Sequence, residues 1–273
     1  MSDSTDDLIV TTITPIADES GTVATFTLNR GDQLNAITWS MIDALDAAIT
    51  DITKRADVRA IVITGAGRAF SAGGDLKAYQ ELQQDAVRFP KFVDALHTAF
   101  GRLRTLDVPV IAAVNGVTAA GGLELILNCD IALVAASARI GDGHLNFGQM
   151  GGGGVLTLLP RYVGLTRALE LMLSGRFLSA EEAVEWGLAS RVVDDDKLLE
   201  EAMELVVQIA RKSPLAVANA KHVMTSIWAD SLPISAALKF ERERNSLYCL
   251  TSEDAPEGLA AFAEKRKPRF QGR

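Results

Sequence analysis

The chain of 273 residues holds three histidines, His97, His144 and His222, and the surroundings of His144 set it apart. It lies near the start of "GDGHLNFGQMGGGG" (141–154), a stretch that ends in four consecutive glycines. An imidazole titrates at about 6.5, so near neutral pH it can give or take a proton. Glycines leave backbone N–H groups open to a negatively charged or polarised ligand. Asp142, two residues earlier, can orient the ring if the backbone brings the two side chains together. Glu124 is the second candidate, in "GLELILN" (122–128). A carboxylate among apolar residues is costly to bury unless it has a task or nearby backbone amides satisfy it. His97 and His222 lie in helical segments of mixed polarity and are expected at the surface or the core edge.

Two further glycine turns, "GAGRAFSAGGDL" (65–76) and "NGVTAAGGLEL" (115–125), join the one at 141–154. Each follows an apolar run and precedes a helical pattern, where small residues let a ligand approach exposed amides. Other site types are excluded by their missing residues. "GAGRAF" lacks the third glycine of a dinucleotide fingerprint, and no G-K-[ST] or G-x-S-x-G element occurs. The scattered histidines and two cysteines, Cys129 and Cys249, give no metal-ligand spacing, so no metal is expected. Both cysteines read as small buried residues. A net charge of −8 argues against a nucleic-acid partner or a membrane surface, and no apolar run is long enough to span a bilayer. The N-terminal "MSDSTDDLIV" has neither a basic nor a long apolar segment, so a soluble cytoplasmic protein is expected.

The pattern of elements indicates an α/β fold. "TVATFTL" (22–28) alternates as a half-buried strand, while "VRAIVIT" (58–64), "VPVIAAV" (108–114) and "DIALVAA" (130–136) suit strands buried on both faces. Thr38 caps a helix carrying Met41, Ile42, Leu45, Ile49 and Ile52 at helical spacing, and "GGLELILN" (121–128) reads as a short buried helix. Ser179 and Glu182 form a capping-box pattern ahead of Gly187. Helices are expected over 195–211, 214–228 and 233–250, with a last one near 257–270. A soft boundary near residue 205 divides an α/β core, 1–205, from a helical region, 206–273.

Several of these segments together resemble the crotonase, or enoyl-CoA hydratase/isomerase, superfamily. They are "TLNRGDQLNAI" (27–37), "GRAFSAGGDLK" (67–77), "PVIAAVNGVTAAGGLELILNCDIALVAASARIG" (109–141) and "EGLAAFAEKRKPRF" (257–270). The resemblance implies a spiral of βα turns with a C-terminal helical trimerisation region, assembled as a trimer or a dimer of trimers. It implies an acyl-CoA thioester as substrate, and no cofactor beyond that coenzyme A. By motif position, the amides of Ala72 and Gly121 form an oxyanion hole for the thioester carbonyl. Leu34, Ala36 and the turn Ala72, Gly73, Gly74 and Asp75 follow the CoA, as does Gly121, while Phe262 and Lys265 reach the CoA of a neighbouring subunit. Glu124 matches the first of two family glutamates that position water. His144 stands where the second belongs, Gly143 stands in place of a proline beside it, and Gly151 replaces another proline.

The implied activity is hydration of the 2,3 double bond of an enoyl-CoA, a lyase reaction of lipid metabolism. Alternatives within the superfamily are hydrolysis of a carbon–carbon bond in a β-diketone and double-bond isomerisation. A non-catalytic acyl-CoA binder is the alternative of another class. Trp39, Tyr79 and Phe89, with Phe240 and Tyr248 of the helical region, are candidates to line the acyl pocket.

Overall fold

A computed structural model describes residues 8–17 and 20–273, so most of the N-terminal stretch read for targeting lies outside the described residues. Two antiparallel strands, β1 (Ile9–Pro15) and β2 (Thr22–Leu28), open the chain and lead to helix α1 (Trp39–Thr53). Thr38 accepts a hydrogen bond from the Met41 N–H at 3.2 Å, and the apolar stripe from Met41 to Ile52 is buried. The chain then runs through three strand pairs. β3 (Val58–Gly65) and β4 (Ala69–Ser71) precede helices α2 (Leu76–Leu82) and α3 (Arg88–Thr105). β5 (Val110–Val114) and β6 (Val117–Ala119) precede α4 (Gly121–Leu127), and β7 (Ile131–Ala135) and β8 (Arg139–Gly141) precede α5 (Val155–Val163).

In each pair the long strand joins one sheet and the three-residue strand a second. The first sheet has the order β1-β2-β3-β5-β7-β10, with β10 at Arg191–Val193, and is parallel from β2 onwards. The second has the order β4-β6-β8-β9, with β9 at Phe177–Ser179. Stacking three such turns gives a spiral whose glycine turns emerge along one side. The short strands carry too few residues for a periodic pattern, which is why the sequence shows only the turns between them.

Helices α6 (Leu165–Ser174) and α7 (Ala180–Glu185) follow, the latter with the capping box between Ser179 and Glu182. Helix α8 (Leu198–Ala210) packs on β3, β5 and β7. The boundary expected near residue 205 thus falls inside a helix that packs on the first sheet. Beyond it, α9 (Pro214–Ala229), α10 (Ile234–Thr251) and α11 (Asp254–Ala263) bury few of their own residues. Their apolar side chains Met224, Leu250 and Phe262 are exposed in the single chain. Cys129 is buried as expected, whereas Cys249 on α10 is exposed. Among the described residues no helix is long and apolar enough to cross a membrane.

One buried ion pair ties these helices to the core. Lys221 of α9 meets Asp130 at 2.6 Å and also donates to the carbonyls of Leu103 (3.2 Å) and Val108 (2.9 Å). Asp130 in turn accepts the Val110 N–H at 2.7 Å. Removing one partner of such a pair strands the other charge in the interior, which costs more than the pair itself contributes. Lys221→Met is expected to lower unfolding stability by about 3–5 kcal/mol in urea titration. An unchanged midpoint would show that α9 is held by packing alone.

Candidate active site

The 30–37 segment is laced to the 65–75 turn by buried polar contacts. Leu34 and Asn35 both adopt left-handed backbone, with φ of 53° and 54°. The buried Asn35 side chain donates to the carbonyls of Ala66 (2.9 Å) and Ala69 (2.8 Å) and accepts the Arg30 N–H at 2.9 Å. The Arg30 guanidinium reaches the Ala36 carbonyl and pairs with Asp75 at 3.2 Å. Asp75 also caps α2 by accepting the Ala78 N–H. Burial raises the Asp75 pKa, but these hydrogen bonds and the Arg30 charge outweigh it and hold the carboxyl below its ordinary value. Its side chain is thus committed to structure.

This lacing decides which amides are available. The Ala72 N–H donates to the Leu34 carbonyl at 2.9 Å, so the sequence expectation of an oxyanion donor at Ala72 is corrected. Two residues on, Ile37 bridges Gly74: its N–H donates to the Gly73 carbonyl (2.7 Å) and its carbonyl accepts the Asp75 N–H (2.9 Å). The Gly74 N–H itself points the other way and has no acceptor among the described residues. The Gly121 N–H, in the first turn of α4, likewise has none, as the start of a helix requires. The two amides are neighbours, since a Cβ on Gly121 would stand 3.9 Å from the Gly74 nitrogen. Gly73 allows the two turns to meet, because a Cβ there would lie 2.7 Å from that of Ala120. Ala120 is held at φ 48°, ψ −116°, strained for a residue with a side chain, and its N–H donates to the Asp142 carbonyl at 2.6 Å.

Glu124 lies one turn further along α4 and is 1% exposed. Its Oε1 accepts the N–H groups of Gly153 (2.8 Å) and Val155 (3.3 Å), whereas Oε2 accepts no hydrogen bond from any described residue. Burial raises the Glu124 pKa, against the opposing pull of His144 and these two amides. The glycine run makes the room: a Cβ on Gly153 would sit 2.7 Å from Glu124 Oε2. One on Gly151 would sit 2.1 Å from Val155 Cγ1, 2.7 Å from Glu124 Oε1 and 3.4 Å from His144 Cε1, so acid and imidazole lie on either side of that glycine.

The question left open by "DGH" is resolved by the backbone. Gly143 takes φ 69°, ψ −10°, a left-handed turn that proline, fixed near −65°, cannot make. The turn folds His144 back so that its Nδ1 meets Asp142 Oδ1 at 2.8 Å and its N–H donates to Oδ2 at 3.2 Å. Burial works against the imidazolium, but the Asp142 hydrogen bond and charge, then the Glu124 charge, raise the His144 pKa above its ordinary value.

A cleft of about 680 Å³ is lined by Ala36, Ala72, Gly74, Asp75, Tyr79, Asp142 and His144 among others, with Gly121 and Glu124 outside its lining. Leu34 lines an adjoining cleft of about 780 Å³ beside Arg30 and Arg68. Tyr79 is fixed by edge-on contacts with Phe89 (5.3 Å) and Phe92 (5.8 Å), and Phe92 also packs on Trp39. Burial and the nearby Glu124 charge raise the Tyr79 pKa. Tyr248 instead reaches Ser213, and Phe240 packs on His222, so neither lines this cleft. Phe262 and Lys265 are exposed and also stand outside its lining. His97 and His222 are exposed. No group of His, Cys, Asp and Glu among the described residues could hold a metal ion.

Two neighbouring amides without acceptors, a buried glutamate and an aspartate-bound histidine are the kinds of group with which an enzyme polarises a carbonyl and moves protons at the adjacent carbons. The sequence belongs with enzymes of that kind. Residues 18–273 match the enoyl-CoA hydratase/isomerase family. A probable enoyl-CoA hydratase of Mycobacterium bovis is 37% identical over 255 residues, covering 92% of this chain and 95% of the relative. The short-chain-enoyl-CoA hydratase of Clostridium acetobutylicum is 34% identical over 253 residues, with coverage of 92% and 95%. The crystal structure of an enoyl-CoA hydratase from Bacillus anthracis superposes with a TM-score of 0.90 at 34% identity, covering 97% of this chain and all of that one. The chain belongs to the enoyl-CoA hydratase/isomerase family and is an enzyme of the hydratase type.

Because Gly151 lies between Glu124 and His144, Gly151→Ala is expected to lower kcat by about 10²-fold if the two act together, the effect of displacing a reacting group by an ångström. Gly152→Ala, whose Cβ would meet Val93 rather than Glu124, is the matched control. Equal kcat for the two variants would show that Gly151 does not set the gap.

Proposed function

We propose that Glu124 and His144 add water across the 2,3 double bond of an enoyl-CoA held by the amides of Gly74 and Gly121. The observation that carries this is the buried Glu124 carboxylate, anchored through Oε1 and open at Oε2, facing an imidazole that Asp142 favours as imidazolium. The two amides take the thioester oxygen and the negative charge that gathers on it as the enolate forms. Glu124 Oε2 removes a proton from water while the hydroxyl joins Cβ. His144 gives its proton to Cα, and a following water returns the proton from Glu124 to His144. Hydroxyl and proton are thereby both added to the substrate, and the enzyme is restored without a further cofactor.

The pantetheine is best placed along Leu34 and Ala36, against the backbone of Ala72, Gly73, Gly74 and Asp75. The exposed Phe262 and Lys265 fit the earlier expectation that they serve the CoA of a neighbouring subunit in a homotrimer or a dimer of trimers. A cytoplasmic location accords with both the substrate and the composition.

Mass analysis after incubation with enoyl- and β-ketoacyl-CoA esters tests this reaction. A gain of one water with the carbon chain intact is expected from an enoyl-CoA. Ring opening or chain cleavage would instead indicate carbon–carbon hydrolysis, altered absorbance at constant mass isomerisation, and binding without change a passive acyl-CoA binder. Glu124→Gln and His144→Gln are each expected to lower kcat by about 10²-fold or more. Hydration requires ionised Glu124 and protonated His144, both with raised pKa. The profile of kcat/KM is therefore expected to be a bell. Its acid limb should lie above the usual carboxylate range and its alkaline limb above the usual imidazole value. A rate that rises through that alkaline limb would refute the acid role of His144.

A further inference from the structure

Asp142 is the one site group to which hydration as described assigns no step, and its surroundings are unlike those of a carboxylate placed for stability. It is fully buried. Both of its oxygens are used, and both by the same residue: Oδ1 by the His144 ring at 2.8 Å and Oδ2 by the His144 N–H at 3.2 Å. No other described side chain shares it. A carboxylate isolated in this way is costly to bury unless a cation balances it, and the imidazolium of His144 is the cation in contact. An ionised carboxylate only accepts, so Nδ1 must carry a proton and Nε2 is left as the working nitrogen.

We propose that Asp142 is a positioning residue, which locks the His144 tautomer and keeps the ring an imidazolium until Cα is ready to take its proton. The proposal rests on the hydratase assignment of His144 and deepens it. Both carboxylate oxygens of Asp142 are taken by His144, so it acts through the ring. The groups that face this ring are Asp142 on its own turn and Glu124 from α4. From α6, packed against the same turn, Glu170 is engaged with Arg176 at 3.0 Å. In the reaction the Nε2 proton goes to Cα, the proton of the attacking water goes to Glu124, and Asp142 remains ionised throughout.

Gly143 makes this arrangement possible, since the left-handed turn is what lets side chains two residues apart meet. The pair therefore works as a unit, and a carboxylate at position 144 would stand against the Asp142 charge. His144→Glu is accordingly expected to be inactive in the presence of Asp142, and to regain part of its rate in the double variant Asp142→Asn/His144→Glu.

The deciding experiment combines a pH profile with a double-mutant cycle. Asp142→Asn is expected to lower kcat by about 10²-fold or more with KM changed only a few-fold, and to move the alkaline limb of kcat/KM to lower pH. In the His144→Gln background the same change is expected to cost nothing further. An unmoved alkaline limb, or equal losses in both backgrounds, would overturn the proposal. If Asp142→Asn does not fold, ¹⁵N NMR of the wild-type ring decides: Nδ1 should stay protonated while Nε2 titrates, and a bare Nδ1 at neutral pH overturns it. Full activity of His144→Gln would instead remove the hydratase reading on which the proposal rests.

Discussion

The structure is organised around a carboxylate placed where water cannot stabilise it. Glu124 lies in a helix whose residues are all buried, and an ionised acid there needs donors, a counter-charge or a proton. Each has an identifiable source. Gly153 and Val155 supply donors from the end of the glycine run, and His144 supplies the counter-charge. The glycines are required because side chains at 151 and 153 would occupy the space of the carboxylate itself. The features that bury Glu124 also leave its Oε2 without a hydrogen bond from any described residue.

A second constraint acts on the backbone. Polarising a thioester takes two N–H groups that the fold leaves without acceptors, although buried amides are almost always paired. The spiral achieves this by weaving the 34–37 segment into the 72–75 turn as an isolated parallel bridge. The Leu34 and Ile37 carbonyls take the amides of Ala72 and Asp75, and Ser71 Oγ takes that of Gly73, so Gly74 is left over. The strain at Ala120 accompanies the same arrangement, since it turns the chain from β6 into α4 with the Gly121 amide facing outward.

These two constraints explain how much was legible in the sequence. Glu124 and His144 stood out because a charge in an apolar run and a histidine beside four glycines are rare for stated physical reasons. The long strands were legible from their apolar runs. Motif position locates the turn and points to Ala72, while which amide stays free depends on how 34–37 pairs with 72–75, which only the fold sets. The contact between Asp142 and His144 depends on the sign of one backbone angle at Gly143, which glycine permits without dictating. The soft boundary at 205 falls within α8 because that helix resembles in sequence the helices after it, and only its packing on the sheet tells it apart.

The central claim is geometric: the thioester oxygen sits on Gly74 and Gly121, with Cβ toward Glu124 and Cα toward His144. A crystal structure with a 3-hydroxyacyl-CoA bound tests it directly. The account predicts the thioester oxygen within about 2.7–3.1 Å of both amide nitrogens. It also predicts the 3-hydroxyl hydrogen-bonded to Glu124 Oε2, with His144 Nε2 facing Cα. A thioester oxygen bound elsewhere, with the Gly74 and Gly121 amides still unengaged, would contradict it.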